Sequence, residues 1–244
     1  SKALVITAPP GAGNTTRIPR ALYEAGFAHQ REILVLEPRR LATRLAASRV
    51  AQEFGERPGQ TVGYSIRFEN VGGPKTRIRF LTEAILARRI VQNPELDSVS
   101  VVILDEFHER HLATDLAIAF LRRLQERNPK LKLVVMSATM NADAVSSFLS
   151  NAPVFSLAEA PFPLDIEYES KTLDRPLHDT VAAAVSRLLR SGLQGDILVF
   201  LPGAAEIRRA LDALQPAARL SGLSLHPLHG DLPASEQARA IEPA

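Results

Sequence analysis

Leu4-Val5-Ile6-Thr7 runs without a break into Ala8-Pro9-Pro10-Gly11-Ala12-Gly13-Asn14-Thr15-Thr16. The apolar, β-branched run reads as a strand, the prolines and glycines end it, and a helical pattern follows near residues 15–27. The same unit repeats along the chain. Ile33-Leu34-Val35-Leu36, Ile78-Arg79-Phe80-Leu81, Val101-Val102-Ile103-Leu104, Leu133-Val134-Val135-Met136 and Ile197-Leu198-Val199-Phe200 are further strand-like runs. Helical patterns lie between them near 40–54, 83–92, 113–127 and 141–149. Strands this apolar are buried on both faces, which demands helices above and below. The alternation predicts an α/β fold with a doubly wound parallel sheet.

Two prolines and a polar break at Ala158-Glu159-Ala160-Pro161-Phe162-Pro163 mark an expected boundary, giving domains 1–158 and 159–244. A second β/α series follows: Asp165–Glu169, a helix near 176–191, the strand 197–200, a helix near 204–214, then Leu223–Leu228. It has too few strands for a closed domain and is expected to be incomplete, the chain being a piece of a longer protein.

Composition excludes several classes. Hydrophobic residues make up 45% and charged residues 23% of the 244, the balance of a globular protein rather than a disordered one. No apolar run reaches the roughly 18–20 residues of a membrane span, and the N-terminus lacks the pattern of a signal peptide. With no cysteine there is neither disulfide nor thiolate metal site, which suits a cytoplasmic protein. The six histidines show no zinc-ligand spacing. Net charge is only +2, which argues against a purely electrostatic nucleic-acid glue such as a basic tail. All but five of the 29 basic residues are Arg, a bias that genomic base composition can produce and that suits phosphate recognition equally.

Three strand ends carry chemistry. Gly11 and Gly13 let the backbone curl around an anion, and the following helix aims its free amides at it. Ala12 and Thr16 belong to the same turn. Thr15 stands where a phosphate-binding loop places the hydroxyl that reaches Mg²⁺. Two residues depart from that pattern: Ala8 replaces its first glycine, and Asn14 replaces its lysine. A glycine-rich strand-to-helix turn without a ligand fits the segment alone. Second, the buried strand 101–104 stops at Asp105-Glu106-Phe107-His108. That places paired carboxylates at the carboxyl edge of the sheet, where α/β proteins bind ligands. Asp105 can hold Mg²⁺ and Glu106 can orient or deprotonate an attacking water. Third, Ser137-Ala138-Thr139 ends strand 133–136, where small hydroxyl residues can bridge loops.

In this order the three segments resemble the superfamily 2 helicases of the DExH class, close to the DEAH-box RNA helicases and most similar to the bacterial HrpB-type ATP-dependent helicases. Further matching segments are Leu36-Glu37-Pro38-Arg39-Arg40-Leu41-Ala42, Val62-Gly63-Tyr64-Ser65-Ile66-Arg67-Phe68-Glu69, Thr82-Glu83, Glu109-Arg110, Leu198–Gly203 and Leu228-His229-Gly230-Asp231-Leu232. The resemblance implies a RecA-like P-loop NTPase domain followed by the start of a second RecA-like domain, with ATP and Mg²⁺ between them. Single-stranded nucleic acid, RNA rather than DNA, would cross both. It implies that Gly11, Ala12, Gly13, Asn14, Thr15 and Thr16 form the phosphate loop, with Mg²⁺ on Thr15 and Asp105. Asp105, Glu106 and His108 would be catalytic, with Ser137 and Thr139 coupling nucleotide state to the strand. Arg49 would lie against adenine, and Arg39, Arg40 and Thr82 would face the nucleic-acid backbone.

Elsewhere the plainer reading is expected: Arg44, Arg88-Arg89 and Arg122-Arg123 as solvated helix charges, Tyr64 and Phe68 as core, and His111, His226 and His229 as structural or exposed. Asn14 leaves open a non-hydrolysing nucleotide- or nucleic-acid-binding module, and backbone readout, which hides the sugar, leaves open a DNA-directed helicase of the same superfamily.

Overall fold

The computed structural model describes residues 1–138, 142–157, 165–168, 175–192 and 195–241. They form two compact units, Ser1–Asp165 and Ile166–Ala244. The expected boundary at 158/159 lies outside the described residues.

The first unit runs β1 (Ala3–Thr7), α1 (Asn14–Glu24), β2 (Glu32–Leu36), α2 (Arg40–Glu53), β3 (Val62–Ile66), β4 (Glu69–Val71), β5 (Ile78–Leu81), α3 (Glu83–Gln92), β6 (Val99–Leu104), α4 (Leu112–Arg127), β7 (Lys132–Ser137), α5 (Ala142–Phe148) and β8 (Val154–Ser156). A short 3₁₀ turn, Phe107–Glu109, joins β6 to α4. The strands form one sheet in the order β4-β3-β5-β2-β6-β7-β1-β8, parallel throughout except for the β3–β4 hairpin.

The expected two-sided burial decides how the helices sit. Alternate strand residues point to opposite faces. Leu34, Leu36, Val102, Leu104, Leu133 and Val135 pack with Leu86, Leu121, Leu124 and Val145 from α3, α4 and α5. Ile33, Val35, Val101, Ile103, Val134 and Met136 pack on the other side with Ala46, Ala47, Val50 and Ala51 of α2, and with Ile18 and Leu22 of α1 at the margin. The registers Leu36↔Leu81, Leu36↔Leu104 and Thr7↔Ser137 bring the carboxyl ends of β2, β5, β6, β7 and β1 to one edge.

The second unit contains α6 (Leu177–Arg190), α7 (Ala204–Ser221) and α8 (Ala234–Arg239). The helix expected to end near 214 continues through Pro216 to Ser221, and Gly222, at φ 66, closes it. The strands expected over 165–169, 197–200 and 223–228 form no ladder among the described residues. A strand requires a neighbour to take its amides and carbonyls, and Phe200 stands 87% exposed without one. Phe68 is also corrected. It lies in the β3–β4 turn at φ 67, 90% exposed, with the Arg67 guanidinium over its ring at 4.7 Å, whereas Tyr64 is buried as expected.

Burial along α4 sets a clear contrast. Leu121→Ala removes a fully buried side chain and is expected to cost about 2–5 kcal/mol, whereas Leu116→Ala, at 49% exposure, should stay within about 1 kcal/mol. Urea unfolding of the two variants measures both; similar losses would contradict this packing.

Candidate functional site

The first strand end and the acidic strand end meet. The Thr15 hydroxyl donates to Asp105 Oδ2 at 2.6 Å, although 90 residues separate them. Gly13, at φ 81, turns the loop into α1, and Gly11 takes φ 83. The Thr16 and Arg17 amides return to Gly13 O at 3.2 and 2.9 Å, and those of Asn14 and Thr15, ahead of them, have no helical carbonyl behind them. A cleft of about 210 Å³ is lined by Ala8–Thr15, Asp105, Glu106, Ser137 and Ala138. Asn14 is part of that lining, and the Thr16 hydroxyl instead turns back to Gly13 O at 3.2 Å.

Asp105 is buried and each of its oxygens has a donor: Oδ1 accepts the Glu106 N–H at 2.8 Å while Oδ2 takes Thr15. Phe107 is buried next to it. Between these anchors Glu106 adopts φ 50, a left-handed conformation that a non-glycine residue holds only at a cost. The Glu106 carboxylate then lies 3.2 Å from His108 Nε2. His108 Nδ1 accepts the Ala138 N–H at 3.3 Å, which leaves its proton on Nε2, facing Glu106. The Asp-Glu-Phe-His segment and the Ser137-Ala138 loop are thus joined through one imidazole. Burial, then Asp105, pushes the Glu106 carboxyl up. Thr139 lies outside the described residues.

Glu37, which stands in the matching segment after β2, is a buried acid at the same sheet edge. It is only 2% exposed, and its Oε1 has no donor. Its carboxyl is within hydrogen-bonding reach of Asp105 and feels Glu106 and Glu109 as well. Burial first, and Asp105 second, push it up to about 9, so it holds a proton at neutral pH. The available signal was a charged residue immediately after an apolar run, ahead of Pro38.

Arg39, Arg40 and Thr82 share the carboxyl edge, following β2 and β5. Arg39 is exposed, yet its Nη2 pairs with Glu109 Oε1 at 2.8 Å. Arg40 opens α2 and Thr82 caps α3. Arg49 does not line the cleft; it pairs with Glu53 at 3.3 Å along α2. Three side chains expected to be bland have partners: Arg44 on Glu69 at 2.6 Å, Arg89 on Glu32 at 2.6 Å, and His111 between Glu83 (3.3 Å) and Glu109 (3.4 Å).

The donor set fits Mg²⁺ as an ion shared with a bound phosphate. Thr15 and Asp105 offer a hydroxyl and a carboxylate, the hard oxygen ligands this ion takes beside phosphates and water. Among the described residues no group of three or more His, Cys, Asp or Glu could hold a metal alone.

Comparison with known proteins agrees with this geometry. The DEAD/DEAH box helicase family model matches residues 1–148. The chain is 42% identical over 246 residues to the ATP-dependent RNA helicase HrpB of Escherichia coli K12, covering 99% of this chain and 30% of that protein. It is 35% identical to the ATP-dependent RNA helicase HrpA of Borreliella burgdorferi, covering 96% of this chain and 29% of the relative. The crystal structure of the Escherichia coli DEAH/RHA helicase HrpB superposes with a TM-score of 0.86 at 40% identity, over 100% of this chain and 31% of that one. The chain thus spans about 30% of the length of these relatives.

Glu37→Gln keeps a donor toward Asp105 without requiring a proton. A carboxyl whose folded pKa exceeds its ordinary 4.5 takes up a proton on folding, so native stability falls as pH rises from about 4.5 toward about 9. The variant should therefore match the wild type near pH 5 and exceed it by on the order of 1–4 kcal/mol at pH 8. Urea unfolding across that range decides; a pH-independent difference would mean that Glu37 is buried as an anion.

Proposed function

We propose that this chain, which belongs to the DEAD/DEAH box helicase family, is the nucleotide-binding part of an ATP-dependent RNA helicase. The observation that carries the reading is the Thr15–Asp105 hydrogen bond, which joins a phosphate-loop turn to an acidic strand end at one sheet edge. Gly11–Thr15 would cradle the phosphates by backbone amides, as a helix N-terminus after a glycine turn does. Mg²⁺, held by Thr15 and Asp105, would neutralise charge on the phosphates. Glu106, its carboxyl raised by burial, would accept the proton of the attacking water. His108 would fix its orientation and transmit that state to the Ser137-Ala138 loop. Arg49 would take the adenine side.

Arg39, Arg40 and Thr82 would contact the nucleic-acid backbone. Such contacts give affinity without sequence readout, as a moving motor requires. RNA as the strand follows from the names of the relatives, HrpB and HrpA. A cytoplasmic location goes with that reading, and no helix among the described residues is long and apolar enough to cross a membrane. The two units would correspond to a RecA-like domain over about 1–158 and the start of a second over 159–244. Asn14 favours a second reading, a module that binds nucleotide and turns it over poorly. An amide can hydrogen-bond a phosphate but cannot neutralise it, and losing a charge-assisted bond costs on the order of 1.5–3 kcal/mol.

Two measurements test the reading. Asp105→Ala should weaken Mg²⁺-dependent ATP binding at least about tenfold; unchanged affinity would remove the nucleotide site. Arg39→Ala with Arg40→Ala should weaken binding of all single-stranded RNAs about equally and flatten the salt slope by up to about two phosphates. A loss confined to one sequence would contradict backbone contact.

A further inference from the structure

We propose that Arg17 supplies the positive charge that the phosphate loop lacks at Asn14, its guanidinium binding the phosphate tail of the nucleotide. The inference rests on the nucleotide-loop reading above and adds a binding residue to it.

Helical side chains lean toward the N-terminus of their helix. Residue 17, in the first turn of α1, therefore folds back over the loop that precedes it. A methyl group placed on Gly13 would stand 3.3 Å from Arg17 Nε and 3.4 Å from Cδ. The bare Gly13 backbone thus makes room for this side chain as well as for the turn. Gly13 lines the cleft while Arg17 lies against the turn just outside that lining, so its long side chain needs only a rotamer change to reach a phosphate seated on the loop.

Arg17 is also free. It is exposed and, among the described residues, its side chain has no hydrogen-bond or ion-pair partner. The neighbouring arginines are committed: Arg20 to Glu24, Arg39 to Glu109, Arg44 to Glu69, Arg49 to Glu53. The cleft has the opposite need. Its described lining contains Asp105 and Glu106 and no cation. A polyphosphate entering beside two carboxylates is repelled unless a positive charge accompanies it, and Mg²⁺ offsets only part of that. A guanidinium fork meets phosphate oxygens in bidentate fashion, which suits a group reaching in from the side.

The test is a double-mutant cycle read by Mg²⁺·ATP and Mg²⁺·tripolyphosphate binding. Arg17→Ala should weaken both ligands by about tenfold or more, the loss expected for a charge-assisted phosphate contact. Arg17→Lys should keep affinity within about threefold, since an ammonium retains the charge. In an Asn14→Lys background, Arg17→Ala should cost less than about threefold, because the two cations serve one charge and are not additive. Loss of ATP affinity with tripolyphosphate unchanged would place Arg17 on the base or ribose and overturn the proposal. So would a full, additive loss in the Asn14→Lys background. Thr15→Ala separates the two levels. If it abolishes binding while Arg17→Ala does nothing, Arg17 is a solvated charge and the nucleotide reading stands. If the unaltered chain binds neither ligand, both fall together.

Discussion

The constraint on which this molecule depends is burial of the parallel sheet on both faces. Seven of its eight strands lie parallel, and the central ones have apolar side chains above and below. Polar groups have no place inside such a layer unless each is partnered. They collect at the carboxyl ends of the strands, where loops begin and backbone amides are unspent. Asp105 follows β6, Glu37 follows β2, Thr82 follows β5, and the glycine turn follows β1. The site is what the sheet expels to one edge.

That edge is strongly acidic, and it works because nearly every carboxylate has an assigned partner. Asp105 takes a hydroxyl and an amide. Glu106 faces the imidazole of His108, and Glu109 faces Arg39. Glu37 is buried and faces Asp105, another acid, so its carboxyl is pushed up and holds a proton. A neutral acid can donate where an anion could only repel, and Glu37 in effect plays the part of an amide. Among the described residues no cation lines the cleft to meet a phosphate, which is why the identity of residue 14 matters so much in this chain.

Much of the fold was legible because its signals are local. The runs 4–7, 33–36, 78–81, 101–104 and 133–136 became strands, since an uninterrupted apolar run has few other fates. The convergence of Thr15 with Asp105 was legible through order and spacing alone. What escaped has a common cause, dependence on partners distant in sequence. Nothing near Arg44 announces Glu69, and nothing near His111 announces both Glu83 and Glu109. Phe68 looked like core because its composition fits a strand, but the backbone turns at that residue and presents it to solvent. The runs at 197–200 and 223–228 carry strand composition too. Without a paired neighbour among the described residues, composition does not make a ladder.

The segment after β6 shows how so short a motif can serve two ends. Asp105 and Phe107 are buried, one held by Thr15 and the other by the core. Glu106, between them, is thereby turned into the cleft and His108, after them, toward the Ala138 amide, and Glu106 and Arg110 accept left-handed φ values of 50 and 51 at either end of the 3₁₀ turn. Strain of order 1–3 kcal/mol at such residues persists only where the surroundings fix it. Here they do, because Glu106 meets His108 and His108 meets the Ala138 amide. Any shift of the 137–138 loop must move the imidazole or break that bond, and the imidazole cannot move without releasing Glu106. In a helicase of this family, that chain of contacts would let the acid beside the phosphates sense the loop that follows β7.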